Sequence, residues 1–412
     1  MFLNVKGIGK IQDSTIEMKG ITVIAGENNT GKSTFGKVLY CMFNAFYDTE
    51  KSIHNERVHD IRRIFRTGGM RRISLSSLKK KTIDDILTGQ DIRKKIEDIL
   101  TTNIADEYKL DDNTINIIKE NIEKSISISD HDIQNVIISR YFRKEFAGKI
   151  NHIAREDKEG HVALSIKGKK IEINLKNDEC QSFLDEVGLL HNAIYIDTPF
   201  IMDSIKNRYN DNFSSFYDSI SHRDNLLERL AKSESNSTIV EEVIIKQKIN
   251  KLLSVINLIV DGEFKEDEDN LMFVEQTLKK PIPLLSVSAG IKSFLIIKRL
   301  LEIGEIKERD VLIFDEPEIH LHPDWQIKFA EMLILLQKEF NLTILLTTHS
   351  PYFLHAIEVY CIKHSINDSL KCYLAESTND TSGIQDVTEN IDEIYKQLAR
   401  PFQKLEDDQY KN

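Results

Sequence analysis

The chain is sparing with the residues that mark many other protein classes. Its 412 residues include four cysteines, Cys41, Cys180, Cys361 and Cys372, scattered with no C-x-x-C pair, so neither a disulfide framework nor a thiolate zinc site is indicated. No apolar run approaches the roughly 18 residues that cross a bilayer, and the opening MFLNVKGIGK lacks the apolar centre of a secretion signal. The expectation is a cytoplasmic protein with no membrane partner. Internal repeats of roughly 20 to 50 residues and long heptad arrays are missing, which argues against a solenoid or extended coiled-coil arms. Net positive charge is missing as well: a formal −11 argues against a protein that coats nucleic acid with its whole surface. Apolar residues are plentiful, 41% of the chain, enough for a large core in two or three lobes.

Against this background one stretch stands out. GENNTGKSTF (Gly26 to Phe35) fits G-x-x-x-x-G-K-[S/T] at all four fixed places. It follows GITVIAG, a β-branched run that reads as a buried strand, and opens KSTFGKVLYCMFNAF, in which Phe35, Val38, Leu39, Met42, Phe43 and Phe46 fall at helical spacing. A strand running into the loop and a helix leaving it direct backbone N–H groups and the positive helix end at phosphates. The predicted ligands are ATP and Mg²⁺, cradled by Gly26, Asn28, Asn29, Thr30, Gly31, Lys32, Ser33 and Thr34. Lys32 is expected to neutralise β/γ-oxygens and the Ser33 hydroxyl to bind the metal.

Three later stretches supply matching chemistry. In RDVLIFDEPEIHLHP an apolar strand, Val311 to Phe314, delivers Asp315 and Glu316 at its carboxyl end. Asp315 suits Mg²⁺ held through water, and Glu316 suits a base that orients and deprotonates the attacking water. LTILLTTHSPYF is another buried strand, placing His349 where a γ-phosphate sensor is needed. LLSVSAGIKSFLIIKRLLE puts Ser288, Gly290 and Lys292 just before an apolar helix, where small residues make an anion site. The predicted catalytic set is Glu316, His349 and Lys32.

Taken in chain order, the four elements resemble the ATP-binding-cassette class of ATPases, within it the branch holding RecF, the structural-maintenance-of-chromosomes (SMC) heads and the overcoming-lysogenization-defect (OLD) proteins. The resemblance covers about residues 1 to 46 and 284 to 355. It implies an α/β ATPase head, a phosphate-loop mixed sheet with flanking helices, carrying a largely helical insertion. It also implies a signature at Ser288 to Lys292, a Walker B strand at Val311 to Asp315, catalytic Glu316 and switch His349. Heads of this class pack as dimers, head to tail, so that Ser288 and Gly290 of one copy meet the γ-phosphate bound by the other. Departures are visible: VSAGIK has Ala289 where a Gly-Gly pair is usual, and EIHLHPDWQ replaces the run found in transporters, which points to the soluble branch. In that branch the Leu-His-Pro element lies at the dimer interface, an alternative to metal binding for His320 and His322. No glutamine fills the inter-lobe loop, and YIDTPF offers Asp197 or Thr198 in its place.

The predicted domain plan assigns 1–46 to a first ATPase lobe and 47–158 to the helical insertion. Return strands follow at 159–204, including a hairpin turning at Gly168, then a helical arm at 205–282 with Ser237 and Thr238 as caps. The second lobe spans 283–376 and a tail 377–412. Within the insertion, Arg57 to Lys81 carries nine basic residues against Asp60 alone. Arg62, Arg63, Arg66, Arg71 and Arg72 are candidates for contact with DNA, RNA or a protein partner, the plainer reading being a solvated helical face; Phe65 is its only aromatic ring. Four functions compete: the ATPase subunit of a Septu-like anti-phage system gating a separate nuclease or toxin, a RecF-like repair ATPase, a self-contained nuclease, and an ATP-locked scaffold. The segment after His349 shows no strand-terminal Glu followed by Asp-x-Asp, so a Toprim nuclease is not expected, and Glu316 argues against a scaffold. The favoured expectation is a dimeric ATPase switch working with a separate effector.

Overall fold

Two kinds of strand are written into the chain, and one sheet uses both. The computed structural model describes residues 1–67, 86–87, 94, 112–152, 158–205, 220–232, 252–267, 270–276, 280–378 and 380–410. Strands that alternate apolar with polar, β1 (Phe2–Ile8), β2 (Ile11–Glu17), β4 (Glu159–Ile166), β5 (Lys169–Lys176) and β6 (Glu179–Asp185), pair antiparallel. Continuous apolar strands, β3 (Ile21–Gly26), β7 (Ala193–Ile196), β11 (Val311–Asp315) and β12 (Thr343–Thr348), pair in parallel. Such runs need cover on both faces, which flanking helices supply. β13 (Leu370–Thr378) and β14 (Thr381–Asp386) bridge the two sets, giving the order β6-β5-β4-β1-β2-β14-β13-β3-β12-β11-β7. β3 therefore lies between β12 and β13, and the carboxyl ends of five parallel strands share one edge. In open α/β sheets that edge is where ligands bind.

Among the described residues, helices with defined bounds are α1 (Lys32–Ala45), α2 (Thr49–Thr67), α3 (Asp112–Ser127), α4 (Asp130–Glu145), α5 (His222–Leu230), α6 (Ala289–Glu302), α7 (Pro323–Phe340), α8 (Pro351–Lys363) and α9 (Asp392–Tyr410). Phe294, Phe329 and Phe353, from α6, α7 and α8, meet in one core with Leu312, Phe314, Ile344 and Leu346 of the parallel strands. The chain divides into two compact units: residues 1–45 with 139–412, and residues 46–138. The second has its own core, in which Ile61, Ile64 and Phe65 of α2 pack with Ile115, Ile118 and Ile122 of α3.

Several expectations need correction. Two strands precede β3, because the chain reverses at Gly9–Lys10 and β1 pairs back on β2. The arm at 205–282 is not wholly helical: after α5 come β8 (Gly262–Asp267), β9 (Asn270–Glu275) and β10 (Pro281–Pro283), a separate three-stranded sheet. The helix caps Ser237 and Thr238 lie outside the described residues. The tail at 377–412 is structured, since β14 joins the main sheet and α9 buries Ile394 in the core. The hairpin of β4 and β5 forms with Lys167 and Gly168 at positive φ, as a tight two-residue turn requires. Among the described residues no helix is long and apolar enough to cross a membrane.

Candidate functional site

The phosphate loop is shaped by close approach. A Cβ on Gly26 would sit 2.4 Å from the Ala375 carbonyl oxygen of β13, so the strand-to-loop junction admits only glycine. Asn29 (φ +66) and Gly31 (φ +84) then turn the backbone as it climbs into α1, the kind of turn that gathers N–H groups into an anion-binding concavity. Lys32, only 4% exposed, lies inside this turn and donates from Nζ to the carbonyls of Gly26 (3.0 Å) and Glu27 (2.8 Å). Thr30 Oγ1 donates to the Glu27 carbonyl at 2.8 Å. Asn28 and Asn29 are exposed; Ser33 and Thr34 are half-buried. A buried ammonium surrounded by oxygens can exchange them for phosphate oxygens, so the donor set fits a nucleotide.

The carboxylates arrive from β11. Asp315 Oδ1 accepts from Ser33 Oγ at 3.0 Å and from the Thr347 hydroxyl, while Oδ2 accepts from Tyr195 Oη at 2.9 Å. Ser33 and Asp315, side by side, fit the hard oxygen ligands that Mg²⁺ takes. Glu316, at φ +48, is tied down by its N–H, which reaches the Thr347 carbonyl (3.1 Å) and Oγ1 (3.0 Å). Its Oε1 lies 3.3 Å from Lys32 Nζ and 3.5 Å from His349 Nδ1. Bonding to His349, with added help from the Lys32 charge, holds the Glu316 carboxyl below its ordinary range despite partial burial. The same bond raises His349. Lys32, Ser33, Asp315, Glu316 and His349, read from three distant stretches, thus converge at the carboxyl ends of β3, β11 and β12.

Sequence reasoning missed the supports. Glu318, 2% exposed, accepts from the Thr348 hydroxyl and from the His349 N–H at 3.0 Å, and burial raises its carboxyl. Ser350 Oγ donates to Gln326 Oε1 at 2.7 Å, joining the strand end to α7. Tyr195 carried a signal: a hydroxyl in the buried run AIYI needs a partner. Of the inter-lobe candidates, Thr198 caps the 3-10 turn Pro199–Ser204, accepting from the Phe200 N–H. Asp197 lies 3.1 Å from His222 Nε2 and accepts from Arg223 Nε at 2.9 Å. Burial pushes Asp197 up, yet His222 and Arg223 prevail and hold it at about 2.

Gly290 and Lys292 lie within the first turn of α6 rather than before it, and Ser288 is its N-cap residue. Lys292 is buried and paired with Asp203 at 2.5 Å. His320 abuts the Phe200 ring, and His322 Nδ1 accepts from the Asp324 N–H. Among the described residues no group of three or more His, Cys, Asp or Glu is placed to hold a metal ion by itself. In the basic stretch, Arg57 is a structural tie, donating to the carbonyls of Ser125, Ile126 and Ile128 and to Asp130. Phe65 is buried in the α2–α3 core and is not a stacking platform. Arg62 is half-buried, Arg63 pairs with Asp60, and Arg66 is exposed; Arg71 and Arg72 lie outside the described residues.

Fold and site together define a phosphate-loop nucleoside triphosphatase. The chain belongs to the family described as the AAA ATPase domain, which matches residues 1–354. A 96-residue stretch is 34% identical to the Old nuclease of Escherichia phage P2, covering 23% of this chain and 15% of that protein, so the likeness spans under a sixth of the nuclease. Among solved structures, the SMC head domain from Thermotoga maritima aligns at 12% identity and TM-score 0.40, over 94% of this chain and 98% of that one. The Smc head domain with an extended coiled coil bound to the C-terminal domain of ScpA, from Pyrococcus furiosus, aligns at 12% identity and TM-score 0.43, over 96% and 98%.

Proposed function

We propose that this protein is a Mg²⁺-dependent ATPase switch whose heads close as a dimer on ATP and gate a separate effector, a nuclease or a toxin, in anti-phage defence. The observation that carries the ATPase reading is the meeting of Lys32, Ser33, Asp315, Glu316 and His349 at one sheet edge. Lys32 leaves the Gly26 and Glu27 carbonyls for β/γ-oxygens. Ser33 and Asp315 hold the metal, which when bound neutralises phosphate charge. Glu316, freed from Lys32, takes the proton of the attacking water, and His349 keeps its carboxylate aimed. Ser288 and Gly290, at the start of α6, are assigned to the γ-phosphate of a second copy, giving the cassette-type arrangement.

The defence role is supported by the partial likeness to the Old nuclease. Two measurements test the proposal. Phosphate release from ATP should require Mg²⁺ and should vanish in Lys32→Ala; release that persists in this variant rejects the site. Cells expressing the protein with its neighbouring genes should resist phage, and lose resistance with Lys32→Ala; unprotected cells reject the defence role alone.

A further inference from the structure

We propose that Tyr195 is the positioning residue of Asp315: its phenol fixes the carboxylate assigned to the divalent cation, and the buried cluster of Glu145, His222 and Asp197 holds the phenol in place. The inference rests on the Mg²⁺-nucleotide reading above. Three independent features of the fold meet at this side chain.

The first is the division of labour on Asp315. A carboxylate on a strand end turns easily about its last torsion, which has broad, two-fold wells. Here Ser33 and Thr347 take Oδ1 and Tyr195 takes Oδ2, so the plane is held from both sides. Parallel pairing of β7 with β11 sets Tyr195 opposite Ile313, two residues before Asp315, the spacing its long side chain spans.

The second is the room made for the phenol. Gly36, one turn beyond Lys32 and Ser33 in α1, faces it: a Cβ there would lie 3.3 Å from both Tyr195 Oη and Cζ, and 3.0 Å from Ile313 Cγ2. The helix that presents Lys32 and Ser33 thus gives up a side chain where the tyrosine passes.

The third is what lies behind the ring. Tyr195, 1% exposed, stacks on the His222 imidazole with centroids 4.4 Å apart and planes 25° apart. His222 Nδ1 meets Glu145 Oε2 at 2.7 Å, its backbone N–H donates to Glu145 Oε1 at 2.7 Å, and Nε2 lies 3.1 Å from Asp197 Oδ2. Burial pulls His222 down, but the two carboxylates prevail and push it up to about 9. An imidazolium on the ring face is attracted to the π-system and draws density from it, which strengthens the phenol as a donor to Asp315. Burial alone would be served by any nearby acceptor; here the phenol takes the second oxygen of Asp315 and has the His222 ring stacked behind it.

The test measures binding rather than turnover. The full-length protein is titrated with a fluorescent ATP analogue in EDTA and in Mg²⁺, and the ratio of the two affinities is the readout. Tyr195→Phe keeps the packing and removes the hydroxyl; its EDTA affinity should stay within about twofold of wild type while the Mg²⁺-dependent gain falls about tenfold, the loss expected for a hydrogen bond to a charged group. His222→Gln should reduce the same gain by a smaller factor. A Mg²⁺-dependent gain equal to wild type in Tyr195→Phe overturns the inference, whatever its melting temperature. If that variant loses its native circular dichroism, the ratio for His222→Gln decides: an unchanged value overturns the inference. Wild-type protein that binds no nucleotide in either condition rejects the ATPase reading itself, a distinguishable result.

Discussion

Glu316 occupies backbone space that costs a non-glycine residue about 1 kcal/mol or more, and two hydrogen bonds from its own N–H keep it there. That conformation points its carboxylate back at Lys32 and His349 instead of onward along the chain. Replacing it with Gln keeps shape and removes the base, so Glu316→Gln should bind the ATP analogue normally and release phosphate about 10²- to 10⁴-fold more slowly. Hydrolysis at the wild-type rate in this variant would reject the assigned role. Glu318 acts on stability. Truncation to Ala strands the Thr348 hydroxyl and the His349 N–H in a buried place, at a cost of about 1–3 kcal/mol. Urea unfolding of Glu318→Ala should show a lowered midpoint with unchanged slope; an unmoved midpoint would mean that water or a neighbour replaces the carboxylate.

Elements differ in how openly the sequence declares them. β3, β11 and β12 are continuous apolar runs ended by polar residues of chemical interest, and parallel pairing brings those ends together, so the centre of the site was legible. α6 was legible as a helix, but its start was misplaced because Ala289 and Gly290 look like a loop and serve as its first turn. The Tyr195–His222–Glu145 contact was not legible: its members lie on a strand and two helices far apart in the chain, and nothing local tells a buried ion cluster from surface charge. The basic run shows the reverse, a pattern plain in sequence whose members have divided duties. Arg57 ties α2 to the start of α4 and should be left intact in any binding test. For duplex DNA held by about four phosphate contacts, log K should fall with log salt at a slope of about −3.6. The Arg62, Arg63, Arg71, Arg72→Ala variant should flatten that slope; the same affinity and slope as wild type would dismiss a nucleic-acid role.

For the whole molecule, the ion cluster predicts a pH window. His222 is raised from 6.5 to about 9, so its contribution is complete below about pH 6.5 and is lost as pH climbs toward 9. Asp197 is lowered from 3.8 to about 2, so its contribution is complete above about pH 4 and is lost as pH falls toward 2. Thermal melts should therefore lose stability on the alkaline side, and His222→Ala should remove that loss while costing about 3–5 kcal/mol at neutral pH, because Glu145 is left buried and unpaired. An alkaline decline unchanged in His222→Ala would assign it to other groups. Quaternary structure has its own test: Lys32→Ala and Ser288→Arg chains, each inactive, should regain phosphate release when mixed, since one shared site would have both halves intact. Heterodimers that form without activity would count against head-to-tail packing. The sheet itself has an uneven seam, for β14 meets β2 at the single bridge Ser382–Ile11, backed by the Ser382 N–H on the Lys10 carbonyl at 2.8 Å. Elsewhere neighbouring strands spread tension over a full ladder; here their backbones share it at one point. Gly31 lies against that point, where a Cβ would come within 2.7 Å of Ile11 Cδ1 and 3.6 Å of Ser382 Cβ. The backbone seam between the antiparallel wing and the parallel set is therefore narrowest beside the phosphate loop, and the Glu17 contacts with Tyr373 and Lys371 of β13 reinforce it at its other end.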